Sequence, residues 1–374
     1  MDTVDKLNIL STDSQYDLAC ACGTRKGDDH RKRGEDGHWL YPVPLARGGY
    51  GIMLKTLLSN ACSSDCRYCP LRSESNVRRC SLSPEETARV FMDFLRRKKL
   101  IGLFLSSGVI GTPDMTMSKL NAVAEILRKK YQYRGYIHLK IIPGASAAAI
   151  EHSLSLASAV SLNIETPGVK YFEKLSAYKN FDRDIISPVK YMADMTRRGM
   201  KYSRVKCTTQ FIVGAADEPD IEIVRYMDGI YNRLNFERVY FSAYQPGLGE
   251  RSIPGEQNFE LRPDDRFTRE HRLYQVDFLM RSYGFSRDEL IFRADGNLAL
   301  DKDPKQIWAD NHPELFPLNI NSADREALLR IPGIGPASVD KIIKSRRVHQ
   351  LRDLTDVGIK GKLREKALSY LVFR

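Results

Sequence analysis

The sequence predicts an α/β fold: a partial (β/α)6 barrel, TIM-like, followed by a small all-α domain at the C-terminus. Three observations carry that prediction. Six short apolar runs between about 52 and 246 alternate with stretches of helical period. Residues able to do chemistry fall at the downstream ends of those runs, where parallel strands closing into a barrel place an active site. From about 318 the chain turns basic, glycine-punctuated and helical in pattern.

Length and composition allow this. A chain of 374 residues with 42% hydrophobic content has room for two or three domains and a real core, and is not disordered throughout. No apolar run reaches the ~20 residues of a membrane-spanning helix. The best, 100–111, is short and contains two serines. The first residues, MDTVDKLNIL, lack a basic-then-apolar leader, so the expected location is cytoplasmic. Seven cysteines, three of them between Cys62 and Cys69, are no disulfide framework and read as a metal or catalytic site.

The elements follow in order. Residues 1–50 form an N-terminal extension whose segment 24–38 carries nine charges and three glycines, an exposed loop suited to an anionic partner. Residues 51–250 hold the barrel. Its strands are expected at 52–59, 101–109, 136–144, 159–165, 205–214 and 239–246, with helices at 83–98, 117–131, 145–156, 189–198 and 220–235. Ser83-Pro84-Glu85-Glu86 has the character of a helix cap. The number of runs and the placing of the motifs favour a curled partial barrel over a doubly wound sheet. Residues 251–317 are a connector with a helix at 264–283, apolar at Phe267, Leu273, Val276, Phe278 and Leu279. Residues 318–374 are the last domain.

The sharpest motif is Cys62-Ser-Ser-Asp-Cys66-Arg-Tyr-Cys69, just after the first strand. Three soft thiolates on a tight loop suit three irons of a [4Fe-4S] cluster and leave the fourth iron open. Zinc needs a fourth ligand; His30 and His38 lie upstream, but not at finger or ribbon spacing. Asn163 and Glu165 end the fourth strand on one face, as paired hydrogen-bonding groups for ribose hydroxyls. A salt-bridged strand end is the plain alternative for Glu165. His138 and Lys140 alternate onto one face of the third strand and point to the lumen; a packed, hydrogen-bonded histidine fits the pattern equally. Tyr244 and Gln245 end the sixth strand at the mouth of the barrel. Cys20, Cys22, Cys80 and Cys207 are too scattered for a second cluster, and Cys207 reads as a buried free thiol.

The C-x3-C-x2-C loop, with aromatic Tyr68 before its last cysteine, resembles the signature of the radical S-adenosylmethionine (SAM) superfamily over about 52–245. The resemblance implies a partial barrel of radical SAM type, with SAM bound through its amino and carboxylate groups to the open iron. It implies reductive cleavage of SAM to methionine and a 5′-deoxyadenosyl radical that takes a substrate hydrogen. An electron donor such as flavodoxin or ferredoxin is implied with it. Ser106-Ser107-Gly108 stands where the superfamily's GGE-type motif meets the SAM amino group, without the glutamate. Gly214 in Gln210-Phe-Ile-Val-Gly214 resembles the motif that packs on adenine.

The net charge of +11 is concentrated in the tail, where 325–374 carries twelve Lys/Arg against five Asp/Glu, a local +7. Ile331-Pro-Gly333-Ile334-Gly335-Pro336 reads as a hairpin between helices, with Asn321 as N-cap of the first and Asp324 three residues on. The turn resembles a helix-hairpin-helix motif, a module that grips the DNA backbone through backbone N–H groups. Lys341, Lys344, Arg346 and Arg347 follow on the second helix, in reach of neighbouring phosphates. Residues 354–361 resemble a degenerate second hairpin. The alternative is a small docking domain.

The whole arrangement is similar to a subfamily of DNA modification and repair radical SAM proteins linked to uracil-DNA-glycosylase-like partners. The resemblance rests on Asp17-Leu-Ala-Cys20, 102–108, 138–144 and the terminal hairpin; Cys22 departs from the pattern. The expected activity is modification or repair of a base or nucleotide in nucleic acid, DNA favoured over RNA. Two rivals stand beside it: radical chemistry on a protein or small molecule, and a non-enzymatic iron–sulfur binder of nucleic acid.

Overall fold

The computed structural model describes residues 1–14, 40–44, 49–97, 100–257 and 263–374. The 24–38 loop, Cys20, Cys22, His30 and His38 lie outside the described residues. The chain divides into two compact units, 1–218 with 226–266, and 219–225 with 267–374.

The first unit opens with helix α1 (Thr3–Asp13), which the sequence pattern does not announce. Strands β1 (Leu40–Pro44) and β2 (Tyr50–Leu57) follow, then α2 (Pro84–Arg97) and β3 (Leu100–Ser106). Next come α3 (Pro113–Glu125) with a π-helical extension, β4 (Tyr136–Lys140), α4 (Ala147–Leu156) and β5 (Ala159–Ser161). Helices α5 (Val169–Leu175) and α6 (Ser187–Thr196), strand β6 (Lys206–Val213), helix α7 (Asp220–Asn232), strand β7 (Arg238–Ala243) and the short α8 (Pro254–Gln257) complete the series. The cap is a full capping box: Glu86 N–H donates to Ser83 Oγ, and Ser83 N–H to Glu86 Oε2.

The strand order is β1-β2-β3-β4-β5-β6-β7, parallel from β2 to β7, with β1 antiparallel at the edge. The order never reverses, so successive right-handed crossovers put the connecting helices on the same face. That is the half-barrel; a doubly wound sheet would turn back at a switch point. The six parallel strands are the six apolar runs.

Register settles which face looks inward. One set of rungs runs Leu54–Leu103–Ile137 and Leu105–Leu139–Val160–Cys207, all buried and apolar, and is the face for the helices. The alternate set runs Lys55–Phe104–His138 and Lys140–Ser161–Thr208–Arg238, with Gln210–Tyr240 above. Polar residues do not belong under helices, so this second set lines the lumen.

In the second unit, helix α9 (Pro263–Ser282), from Phe267 on, and α10 (Pro304–Asp310) precede a pair of two-residue parallel strands, β8 (Leu318–Asn319) and β9 (Leu371–Val372). These strands join the two ends of an otherwise helical segment of α11 (Arg325–Arg330), α12 (Pro336–Ser345) and α13 (Gly361–Leu368). Its core is Ile320, Leu328, Ile331, Ile334, Val339, Ile342, Leu351 and Leu354. Among the described residues, no helix is long and apolar enough to cross a membrane.

Candidate active site and hairpin

The cysteine loop leaves the C-terminal end of β2 and is stitched at once to the end of β3. Leu58 N–H donates to Ser106 O (2.8 Å), Gly108 N–H to Ser59 O (2.7 Å) and Ser63 N–H to Val109 O (2.9 Å). Gly108 has to be glycine, since a Cβ there collides with the Ala61 carbonyl and stands 3.1 Å from Cys62 Cβ. Ser106 is buried, and the Ser107 hydroxyl is taken by the Gly108 carbonyl at 2.7 Å.

Two polar side chains that sequence reasoning missed hold the loop in shape. Arg79 donates to four loop carbonyls, those of Asn60, Leu71, Arg72 and Ser75. Asp65, inside the cysteine motif, accepts from the Ser176 hydroxyl and from Ala177 and Tyr178 N–H. Burial works to raise the Asp65 carboxyl, but these bonds outweigh it and hold it below the usual carboxylate range. Asp65 thereby fixes the segment that carries Lys179, whose Nζ lies 2.7 Å from Cys66 Sγ. A lone Arg and a lone Lys on irregular chain give no periodic signal.

Every sulfur of the triad has a donor. Cys62 Sγ accepts from Ser64 N–H (3.5 Å) and Val109 N–H (3.4 Å), Cys69 Sγ from Leu71 N–H (3.4 Å), and Cys66 Sγ from Lys179. Donors of this kind stabilise thiolates bound to iron. Burial pushes the Cys66 thiol up and the Cys69 thiol up to about 12, so a bound cation's charge is what would make them thiolates. Among the described residues no three His, Cys, Asp or Glu side chains converge on a single ion. A cubane needs a different arrangement, one thiolate per iron corner, and the triad suits that group.

Tyr68, Asn163 and Glu165 meet. The Tyr68 hydroxyl donates to Glu165 Oε1 at 2.8 Å, and Asn163 Nδ2 stands 3.5 Å from Glu165 Oε2. Glu165 has φ 64, in the left-handed region that a β-extended side chain avoids, and bridges Phe211 beyond the end of β5. The Tyr68 ring packs on a cluster of Tyr171, Leu175, Ala215, Ala216, Tyr244 and Ile253. Gly214, φ 86, ends β6, and its N–H is held by buried Glu218 at 2.5 Å. Tyr244 is buried with its hydroxyl bonded to Glu256, and half-buried Gln245 follows it.

His138 and Lys140 share the lumen face, as alternation requires, and both are buried. His138 bonds Ser161 Oγ (2.8 Å) through Nε2, and its ring centroid is 4.4 Å from that of Phe104. Cys207 is a free, buried thiol pushed up to about 11 by burial, with Thr196 at 3.4 Å. Cys80 is free and buried too, packed with Leu7, Leu10 and Leu82.

The hairpin belongs to the second unit. The N-cap of α11 is Asp324, whose Oδ1 accepts from Ala327 N–H (2.7 Å), and not Asn321. Asn321 instead ties the module together, bonding both backbone groups of Leu351 and the carbonyl of Arg374. A carboxylate one residue before a helix competes better for its N–H groups than an amide four residues upstream. Gly333 has φ 86, and a Cβ there would stand 2.7 Å from Leu363 O. Gly335 is extended at φ −115; what demands glycine there is the Tyr283 hydroxyl, 3.0 Å from a Cβ.

Gly335 caps α12 with no side chain, and Pro336 follows at N1. Among the described residues, the N–H groups of Gly335, Ala337 and Ser338 have no acceptor. Lys341 and Lys344 are exposed on α12, and Arg347 is exposed in the turn after it, since the helix ends at Ser345 and not beyond Arg347 as the sequence pattern suggested. Arg346 is not in that set: its guanidinium donates to Ile320 O (3.0 Å) and Ala323 O (2.6 Å). In the stretch read as a second hairpin, a single 3-10 turn (Leu354–Val357) and left-handed Gly358 lead into α13.

No family model and no curated protein matches the chain. Solved structures do. Methylornithine synthase (PylB) is 15% identical at TM-score 0.46, over 59% of this chain and 61% of that one. The FeFe-hydrogenase maturase HydG from Carboxydothermus hydrogenoformans is 17% identical at 0.48, over 61% and 51%. A radical S-adenosylmethionine methyltransferase, TsrM, from Kitasatospora setae is 12% identical at 0.39, over 51% and 35%. The chain spans less than two thirds of the length of each, and the likeness is one of fold.

Proposed function

We propose that the chain is a radical SAM enzyme that modifies or repairs a base or nucleotide in nucleic acid, DNA in preference to RNA. The observation that carries the reading is the meeting of the cysteine loop with Tyr68, Asn163 and Glu165 at the C-terminal ends of parallel strands. Cys62, Cys66 and Cys69 would hold three irons of a [4Fe-4S] cluster, leaving the fourth for SAM. Bound there, the cluster supplies the electron that cleaves SAM into methionine and a 5′-deoxyadenosyl radical.

The remaining work falls to the chain. Glu165 and Asn163 accept from and donate to the ribose hydroxyls, and Tyr68 fixes the carboxylate that does so. Ser106, Ser107 and Gly108 offer a hydroxyl and carbonyls to the SAM amino group in place of a glutamate. Gly214 leaves a flat place for adenine. The lumen face, with His138 and Lys140, holds the substrate and keeps water out. The hairpin grips a phosphate through the free N–H groups at the start of α12, with Lys341, Lys344 and Arg347 on its neighbours. A base inside a duplex is shielded by stacking, so the target enters flipped or single-stranded.

The test is anaerobic reconstitution with iron, sulfide, SAM and reductant, with and without DNA or RNA. The reading expects nucleic acid to raise 5′-deoxyadenosine output and a mass change to appear in digested nucleosides. Output indifferent to nucleic acid, with unaltered nucleosides, sinks the substrate claim and favours a protein or small-molecule substrate.

A further inference from the structure

We propose that Lys305 is a positioning residue for the hairpin: its ammonium sits at the oxygen end of the peptide whose N–H meets a nucleic-acid phosphate, and polarises that peptide. The proposal rests on the nucleic-acid reading of the hairpin given above.

Lys305 lies in the first turn of α10 and is only 8% exposed. Its Nζ donates to the carbonyl of Ile334, the central residue of the hairpin, at 2.5 Å, and stands 4.6 Å over the Tyr283 ring. Asp303, two residues before it, bonds Lys366 and caps α10. A buried ammonium set on one neutral carbonyl and a ring is costly to a fold. Its location says what it does.

The Ile334 carbonyl and the Gly335 N–H belong to one peptide unit. That peptide is trans, so the two groups point in opposite directions. Lys305 therefore holds the oxygen from inside while the N–H faces away from it, with no acceptor among the described residues. The next free donors, Ala337 and Ser338, lie in the first turn of α12, where the helix dipole already favours an anion. A cation behind the peptide adds to that field and makes the N–H a stronger donor. It also fixes the hairpin's tilt, which glycine leaves loose. Lys305 cannot touch the phosphate, and so differs from exposed Lys341, Lys344 and Arg347.

Chemistry separates the two roles. A lysine paired with a phosphate releases counterions, and its loss lowers the slope of log affinity on log salt by about one. A lysine acting through a peptide changes affinity at nearly constant slope.

The experiment uses the full chain and a duplex and a single-stranded oligonucleotide of random sequence. Lys305→Met is expected to weaken binding about tenfold with the salt slope of the parent, and Lys344→Ala to weaken it with a smaller slope. In amide NMR spectra, Lys305→Met is expected to shift Gly335 N–H upfield while Gly333 and the α12 amides stay in place. The unfolding midpoint is expected to stay or rise, because the variant no longer buries a charge. Binding within twofold of the parent overturns the proposal, as does a loss in which Gly333 and α12 amides move as far as Gly335. If the parent binds neither oligonucleotide, the nucleic-acid reading itself fails and this proposal with it.

Discussion

The Tyr68 hydroxyl donates a 2.8 Å hydrogen bond to Glu165, a residue 97 positions further along the chain. Burial, then the Glu165 charge, pushes the phenol well above its ordinary pKa, so it remains a donor. The bond joins the cysteine loop to the end of β5 and ties the orientation of Glu165 to the loop that would carry iron. Tyr68→Phe keeps the ring in its apolar cluster and removes only the donor. It is expected to weaken SAM binding by reconstituted protein about tenfold, with iron content unchanged. Loss of iron along with SAM would assign the tyrosine to the cluster instead.

Arg79 holds four carbonyls of the cysteine loop with one guanidinium. Arg79→Met leaves those acceptors without a charged donor and is expected to cost about 2–4 kcal/mol. Denaturant unfolding of the apo chain measures the cost, and iron per chain after reconstitution should fall with it. Full loading at unchanged stability would show the loop to be held by other means.

Lys344 lies in the last turn of α12 and Arg346 is its C-cap, and the two have different prospects. The Arg346 guanidinium secures two carbonyls of the module, whereas Lys344 is exposed. Arg346→Ala is expected to lower the unfolding midpoint of the module and spare the salt slope of oligonucleotide binding. Lys344→Ala should do the reverse, lowering the slope by about one. Equal slopes in the two variants would place both side chains on phosphate or neither.

Lys305 makes the module pH-sensitive. Burial pushes its pKa down to about 7 from 10.5; Asp303 supports the charge, while Lys366 and Arg330 oppose it. Between about pH 7 and 10.5 the unfolded chain holds a proton that the folded one has released, so this group's contribution to stability rises with pH. Below pH 7 the full penalty remains, on the order of a few kcal/mol. Phosphate binding at the proposed site would run the other way, since the ammonium is lost as pH rises through 7. Lys305→Met should therefore be the more stable form near pH 6, with the gap closing by about pH 10. The parent's advantage in oligonucleotide affinity should shrink from about pH 6 to 8. A stability gap independent of pH would contradict this assignment.

The sheet was legible because its strands are apolar on the helix-covered face and its motifs sit where strands end. All six parallel strands fall on the apolar runs, although β5 ends at Ser161, four residues short of the expected 159–165, and 83–98, 145–156 and 264–283 fall on helices. Strand β1 escaped notice: five residues with two prolines at an antiparallel edge carry no alternation to read. Helix α5 is only seven residues long, and α1 is weakly amphipathic. Asn163 and Glu165 were singled out in the sequence by strand alternation, although β5 ends at Ser161 and Glu165 turns left-handed beyond it. Arg79, Asp65 and Lys179 were not, because their partners are carbonyls, N–H groups and a sulfur on irregular chain. The misplaced cap at Asn321 has the same origin: two good capping residues stand three apart, and only tertiary packing decides between them.

In the function proposed above, SAM would be cleaved reductively at a cluster held by Cys62, Cys66 and Cys69. The most direct measurement is 5′-deoxyadenosine formed per chain, under anaerobic conditions with dithionite, by the reconstituted parent and by Cys66→Ala. Product from the parent, equimolar with methionine, and none from the variant is the expected result. Iron-loaded parent that binds no SAM and forms no 5′-deoxyadenosine would contradict it.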